Sequence, residues 1–272
     1  YDDGAALIAD PSVDAISVAT PPNSHKEYAL MAAAAGKPVY VEKPMAMNHA
    51  QCIDMVEACK AAGVPLFVAY YRRCLPRFVK IKELIDGGAI GDVRFVLTHL
   101  YQRARPDHFE SDNLPWRVRP EIAGAGIFFD LAAHTLDYLD YFLGPITSVE
   151  GFAGSQAGRY PAEDTVAGSF VFESGAHGVG LWCFDAYKDE DITEIVGTDG
   201  KLSFSSFGEE PIRLETTNGM TEFVIKHPPH VQQPLIQTIV DELLGNGQCP
   251  STGVSAARTS WVMEQMIANY YG

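Results

Sequence analysis

Positive charge is what this chain has least of. Its 272 residues hold 20 Lys plus Arg against 35 Asp plus Glu, a formal net charge of −15. That balance argues against nucleic acid as a partner, because a phosphate backbone is bound by clustered positive charge. Long apolar runs are also missing. None approaches the ~18 residues of a membrane span, so no membrane partner is expected. The five cysteines, Cys52, Cys59, Cys74, Cys183 and Cys249, form no C-x-x-C pair. Neither a metal site nor a disulfide framework is indicated, and scattered single thiols fit a reducing cytoplasm. The chain opens on Tyr1 rather than Met and shows no signal peptide, so it reads as a fragment or a chain from which something was removed. What it does have is 47% apolar and 20% charged residues. That supports a sizeable core and excludes a disordered or fibrous chain.

The first seventy residues alternate strand and helix signals. Asp14 to Ala19, Val39 to Val41 and Pro65 to Ala69 are short apolar runs. Between them lie helical stretches from His25 to Ala35, ended by Gly36, and from Asn48 to Ala62, ended by Gly63. Strand, helix, strand, helix, strand implies a parallel sheet with right-handed crossovers. The continuously apolar strands fit a sheet covered on both faces. The pattern then changes. Helices are expected over Pro76 to Asp86 and Gly126 to Leu143, and a long strand over Val93 to Arg103. From Ile146 to about Ile225, short strand-like stretches broken by Gly, Asp and Asn suggest an antiparallel sheet. Two helices close the chain, near Pro234 to Leu244 and Gly253 to Asn269. The fold class is therefore α/β followed by α+β, divided near residue 70.

Ligands of an open parallel sheet bind beyond the carboxyl ends of its strands. Each of the three expected strands is followed at once by a polar cluster: Thr20-Pro21-Pro22-Asn23-Ser24-His25, then Glu42-Lys43-Pro44, then Tyr70-Tyr71-Arg72-Arg73. Taken singly, each is an ordinary turn or a solvated charge. Three in succession at one sheet edge are harder to dismiss, since the topology sets them side by side. Ten of the twenty basic residues also fall between Arg72 and Arg119, against six acids there and twenty-nine elsewhere. Such a segment could receive an anionic ligand such as a pyrophosphate. On the Gly126 to Leu143 helix, Asp130, His134, Asp137, Tyr138 and Tyr141 share one face, opposite Phe128, Ala132, Leu136, Leu139 and Leu143. Asp130 and His134 are four apart and within mutual reach. An imidazole beside a carboxylate is a suitable general base near neutral pH.

Together these clusters resemble the glucose-fructose oxidoreductase / inositol dehydrogenase / MocA family of NAD(P)-dependent oxidoreductases. Gly36-Lys37-Pro38-Val39-Tyr40-Val41-Glu42-Lys43-Pro44-Met45 is similar to the family's G-K-x-V-x-x-E-K-P signature, and Ala19-Thr20-Pro21-Pro22-Asn23-Ser24-His25 to its A-T-P-x-x-x-H stretch. Trp116-Arg117, Gly124-Ala125-Gly126, Asp130 and His134 resemble W-R…G-G-G-x-x-x-D-x-G-x-H, with Ala125 and Ala132 in place of glycines. Tyr71 stands where many relatives have Asn before the arginine pair.

The resemblance implies the C-terminal part of a Rossmann parallel sheet (residues 1–70), followed by a mostly antiparallel open-sheet domain for substrate binding and dimerisation (residues 71–272). It implies hydride transfer between a nicotinamide and a hydroxyl or keto carbon of a sugar or polyol. His134 would exchange the hydroxyl proton, Lys43 would stabilise alkoxide charge, and Asp130 would orient His134 or bind a substrate hydroxyl. Thr20, Pro21, Asn23, His25, Glu42, Lys43, Arg72, Trp116 and Arg117 would face the cofactor, NAD or NADP. A homo-oligomer through the C-terminal sheet is implied as well. The family opens with a G-x-G-x-x-G loop, and none occurs here. The missing units amount to roughly 60 residues, so an N-terminal truncation is expected, with Asp14 to Ala19 left as an exposed edge strand. Two alternatives stand beside hydride transfer: a glycoside hydrolase using the same cofactor transiently, and a non-catalytic dimerising fragment.

Overall fold

The structure, a computed structural model, describes residues 1–110 and 113–272. Asp112, one of the six acids in the basic segment, lies outside the described residues. The chain begins with α1 (Gly4–Ala9), whose first turn is capped by the Asp3 carboxylate accepting from the Ala5 amide at 3.1 Å. Then come β1 (Ile16–Val18), α2 (His25–Ala34), β2 (Val39–Val41), α3 (His49–Ala62) and β3 (Leu66–Val68). The three strands form a parallel sheet in the order β1-β2-β3, with Val18, Val41 and Val68 in register at their carboxyl ends. The stop and start signals act as expected. Asn48 accepts from the Gln51 amide to cap α3, and Gly63 ends it at φ +69°. In this structure β1 pairs on one side only.

The second part holds α4 (Pro76–Asp86), β4 (Val93–Tyr101), α5 (Pro120–Ala123), α6 (Ile127–Leu143), β5 (Ile146–Gly154), β6 (Thr165–Phe172), β7 (His177–Cys183), β8 (Glu190–Gly197), β9 (Gly200–Phe204), β10 (Ile212–Thr216), β11 (Gly219–Phe223), α7 (Gln233–Leu243) and α8 (Gly253–Tyr271). Its eight strands run β11-β10-β9-β8-β4-β7-β6-β5, and among these pairings β4 with β7 alone is parallel. One face of this sheet packs on α6, where Phe128 meets Trp182 edge-on and Tyr138 hydrogen bonds Thr193. The other face leaves Phe95, Leu97, Val179, Leu181 and Ile192 exposed. The chain end returns to the parallel sheet: Ser251 donates to the Val68 carbonyl at 2.7 Å, and α8 packs on α3, α6 and β5. Among the described residues no helix is long and apolar enough to cross a membrane.

Helix α6 is set by charge as much as by its apolar residues. The Arg73 fork holds the Asp137 carboxylate at 2.9 and 2.7 Å, and Arg258 holds Asp140 at 2.8 and 2.7 Å. Asp137 and Tyr138, read from the sequence as part of a polar stripe, are fully buried. The reason is that α6 is covered on both sides and its acids find arginines there. Removing one partner of such a buried pair costs ~3–5 kcal/mol. At the amino end, the Gly126 amide donates to both Glu163 oxygens at 2.9 Å, and the Tyr271 hydroxyl donates to Glu163 Oε2 at 2.6 Å. A Cβ on Gly126 would lie 2.8 Å from the Ala162 methyl, and one on Gly124 (φ +88°) would lie 2.4 Å from the Met47 carbonyl. Gly124 therefore docks the start of α6 against the segment that follows Lys43, and Gly126 docks it against Ala162 and Glu163.

Burial pushes the Glu163 carboxyl from an ordinary 4.5 up to about 7. The unfolded chain gives up this proton near the lower value and the folded chain near the higher, so stability falls as pH rises between them. Urea midpoints should thus drop from pH 5 to pH 7, and Glu163→Gln should flatten that drop. Parallel pH profiles for the two proteins would refute the assignment.

Candidate active site

The carboxyl ends of β1, β2 and β3 present the three polar clusters side by side, as their register requires. After β1, Thr20, Pro21 and Asn23 are exposed, and Ser24 donates to the Thr20 hydroxyl at 2.7 Å. His25 differs from its neighbours. It is fully buried, with Nε2 2.7 Å from the Thr20 carbonyl and Nδ1 3.1 Å from the Pro44 carbonyl. The ring straps the turn after β1 to the turn after β2 and has no free atom for a cofactor. After β2, Glu42 accepts from the Lys43 amide at 3.2 Å and from Gln232 Nε2 at 2.7 Å, while Tyr40 donates to Gln232 Oε1 at 3.0 Å. Sequence reasoning missed Gln232. It sits 190 positions from Glu42 just before α7, and nothing local marks it.

Lys43 crosses to α6. Its Nζ donates to the Asp130 main-chain carbonyl at 2.9 Å and pairs with Asp130 Oδ1. Arg117 Nε donates to Asp130 Oδ2 at 2.9 Å, with its guanidinium 4.3 Å from the Trp116 ring. One carboxylate thus holds two cations contributed by distant parts of the chain. Burial opposes the charge on Asp130, but the Lys43 ammonium and Arg117 outweigh it and hold its pKa below the ordinary carboxylate value.

His134 lies one turn further along α6, 3% exposed, among the rings of Tyr70, Tyr71 and Phe207 at centroid distances of 6.3, 5.2 and 5.9 Å. The expected imidazole–carboxylate pair does not form, because both Asp130 oxygens are taken by Lys43 and Arg117. Nδ1 of His134 is buried without a hydrogen-bond partner among the described residues. Burial first, then the Arg72 and Lys43 charges, hold the ring well below its ordinary pKa. It is neutral at pH 7, the state a proton acceptor needs, though no carboxylate assists it. Arg72 stands on this side of the site: it donates to the Ser206 carbonyl at 2.9 Å and its guanidinium lies 4.4 Å from the Phe207 ring.

Among the described residues the basic segment forms no single anion-binding patch. Arg73, Lys80, Lys82, Arg94, Arg117 and Arg119 are each paired with a carboxylate. Arg72 and Arg77 are buried. Its surplus of charge is spread over separate pairs because the acids that answer it lie partly outside the segment, on α6.

A parallel sheet whose strand ends meet a Lys–Asp bridge, backed by an open and mostly antiparallel sheet, is the layout of a two-part dehydrogenase. A family model for the oxidoreductase family NAD-binding Rossmann fold matches residues 1–70, and one for the GFO/IDH/MocA C-terminal domain matches residues 78–203. The chain is 35% identical to oxidoreductase P35 of Formosa agariphila over 95% of this chain and 80% of that protein. It is 28% identical to 1,5-anhydro-D-fructose reductase of Ensifer adhaerens over 91% of this chain and 74% of that protein. A solved levoglucosan dehydrogenase in complex with NADH and levoglucosan superposes with a TM-score of 0.86 at 23% identity, over 98% of this chain and 80% of the other. That likeness speaks to the fold. The chain belongs to the GFO/IDH/MocA family and is an NAD(P)-dependent oxidoreductase. Relatives named as oxidoreductases and dehydrogenases favour hydride transfer over the hydrolase and the non-catalytic fragment.

Asp130→Asn would leave Lys43 and Arg117 facing a neutral amide. The expected loss of stability is about 1–3 kcal/mol, the cost of removing one partner at a site that is only partly dry. It should appear as a lower urea midpoint with an unchanged slope, and an unshifted midpoint would contradict it.

Proposed function

We propose that this protein transfers hydride between a nicotinamide cofactor and the carbinol carbon of a sugar or polyol. The observation that carries this is the pairing on one helix face of the Asp130-bound Lys43 ammonium with a neutral, buried His134 whose Nδ1 lacks a partner. A polar donor and a proton acceptor one helical turn apart suit a hydroxyl group set between them. The cofactor supplies the carbon that accepts or returns the hydride.

Thr20, Pro21, Asn23 and Glu42, at the ends of β1 and β2, suit the cofactor side, with Trp116 and Arg117 approaching from the second part. His134 takes the hydroxyl proton on its unprotonated ring nitrogen as the alcohol becomes a ketone, and returns it in the reverse direction. Lys43 stabilises the oxygen as negative charge develops there. Asp130 keeps the ammonium in place, which makes it a positioning residue. We assign residues 1–70 to cofactor binding and residues 71–272 to substrate binding and assembly. Five unpaired thiols support a reducing compartment such as the cytoplasm.

The exposed face of the large sheet supports a homo-oligomer. Leu97 lies directly across from Val179, and both are about half exposed beside Phe95, Leu181 and Ile192. Apolar rows of this kind on an open sheet mark an interaction surface.

Lys43→Met should lower kcat by about 10²–10⁴-fold, with NAD(H) or NADP(H) binding retained in calorimetry. Full turnover in that variant would sink the mechanism. Leu97→Glu with Val179→Lys should convert an oligomer to a monomer in sedimentation velocity. A wild-type protein that already sediments as a monomer would overturn the oligomer.

A further inference from the structure

Two arginines, Arg72 beside His134 and Arg77 in the neighbourhood it shares with Arg72, are buried without the partners that such groups require. Arg77, in the first turn of α4, is 1% exposed, and neither its Nη1 nor its Nη2 has a hydrogen-bond partner among the described residues. Arg72 is 5% exposed; its Nε is used by Ser206, and its Nη1 is unpartnered. Leaving a buried guanidinium fork unfilled costs free energy that folded proteins ordinarily avoid. Carboxylates do lie within electrostatic range of Arg77: Glu210, Glu209 and Asp191. None reaches it. Asp191 is occupied by the loop after β9, where it accepts from Ser205 Oγ at 2.6 Å and from the Ser206 and Phe207 amides at 3.1 and 2.7 Å. Glu209 accepts from the His227 amide.

The two guanidinium groups belong to one neighbourhood. Both face Asp191. His227, whose Nδ1 is also buried and unpartnered, is held below its ordinary pKa by burial and by the charges of Arg77 and Arg72. Arg72 in turn shares Tyr71 and Phe207 with His134: its guanidinium lies 5.0 and 4.4 Å from those rings, and His134 lies 5.2 and 5.9 Å from them. Arg72, in the turn just after β3, therefore links these unfilled donors to the proton acceptor.

We propose that Arg72 and Arg77 form an oxyanion subsite beside His134, and that the sugar substrate carries an acidic group, a carboxylate or a phosphate or sulfate ester. This rests on the hydride-transfer function and narrows its substrate. A planar guanidinium with two free Nη groups matches two oxygens of such an anion bidentately. His227 adds a third polar atom from another segment.

The test uses initial rates and calorimetry on the full chain with D-glucose, D-glucuronate and D-glucose 6-phosphate. One of the anionic sugars should exceed glucose in kcat/KM by about 10–100-fold, the worth of a charge-assisted pair. Which one does so distinguishes a carboxylate from a phosphate ester. Arg77→Met should bring that ratio toward one, raising KM for the anionic sugar and lowering its kcat toward that of glucose, and Arg77→Lys should keep part of it. Should Arg77→Met fail to fold, the Arg77→Lys ratio and competition by inorganic phosphate in the wild type decide the matter. Equal use of neutral and anionic sugars, or a preference that survives in a folded Arg77→Met, would overturn the subsite. Binding of the anionic sugar should persist in Lys43→Met. Arg77-dependent binding with no oxidation of any sugar would leave the subsite and remove the hydride-transfer function. Oxidation of glucose without any anion preference would do the reverse.

Discussion

Lys43 leaves the end of a buried parallel strand and places its ammonium between the carboxylate and the main-chain carbonyl of one residue, Asp130. Together with the Arg73 fork on Asp137, this contact ties α6 to the ends of β2 and β3. The carboxylate is shared with Arg117, so the segment carrying Trp116 is drawn to the same point. The geometry upstream serves the same contact. His25 ties the turn after β1 to the Pro44 and Met45 carbonyls, and Gly124 lets the chain before α6 press against Met47 with no Cβ in the way. A cation held by a carboxylate and a carbonyl loses rotamer freedom before any ligand arrives. That is the preorganisation from which electrostatic stabilisation of an alkoxide draws its effect.

The elements with local causes were legible in the sequence. The Asn48 cap and Gly63 stop of α3, the span of α4 and the length of α6 follow from capping chemistry and apolar period, and the structure repeats them within a residue or two. The parallel first sheet followed from the alternation of strands and helices. Contacts across long separations left no local trace. Glu42 with Gln232, Arg73 with Asp137, and the parallel pairing of β4 with β7 depend on how distant segments pack. The ten bases between Arg72 and Arg119 suggested a place for an anionic ligand for the same reason: nothing local showed that α6 would bring acids to meet Arg73 and Arg117. The Asp130–His134 spacing was right about the helix face. It failed to anticipate that two cations would claim the carboxylate first.

That competition determines what kind of base His134 is. A paired imidazole gains basicity from its carboxylate, whereas this one is weakened by burial and by Arg72 and Lys43. A weaker base holds its proton less firmly, so the ring is ready to accept a proton at neutral pH but favours giving it back. The balance shifts when a negative group settles on Arg72. One of the two cations that depress the ring is then neutralised, and the imidazole becomes a stronger acceptor at the moment a substrate is in place. An acidic substituent would in this way do more than add affinity. It would raise the proton affinity of His134 in the complex relative to the free protein, and so tie the readiness of the base to occupation of the site. Neutral sugars make no such change in the field at the ring. Between two substrates held with equal affinity, the acidic one would therefore be oxidised faster.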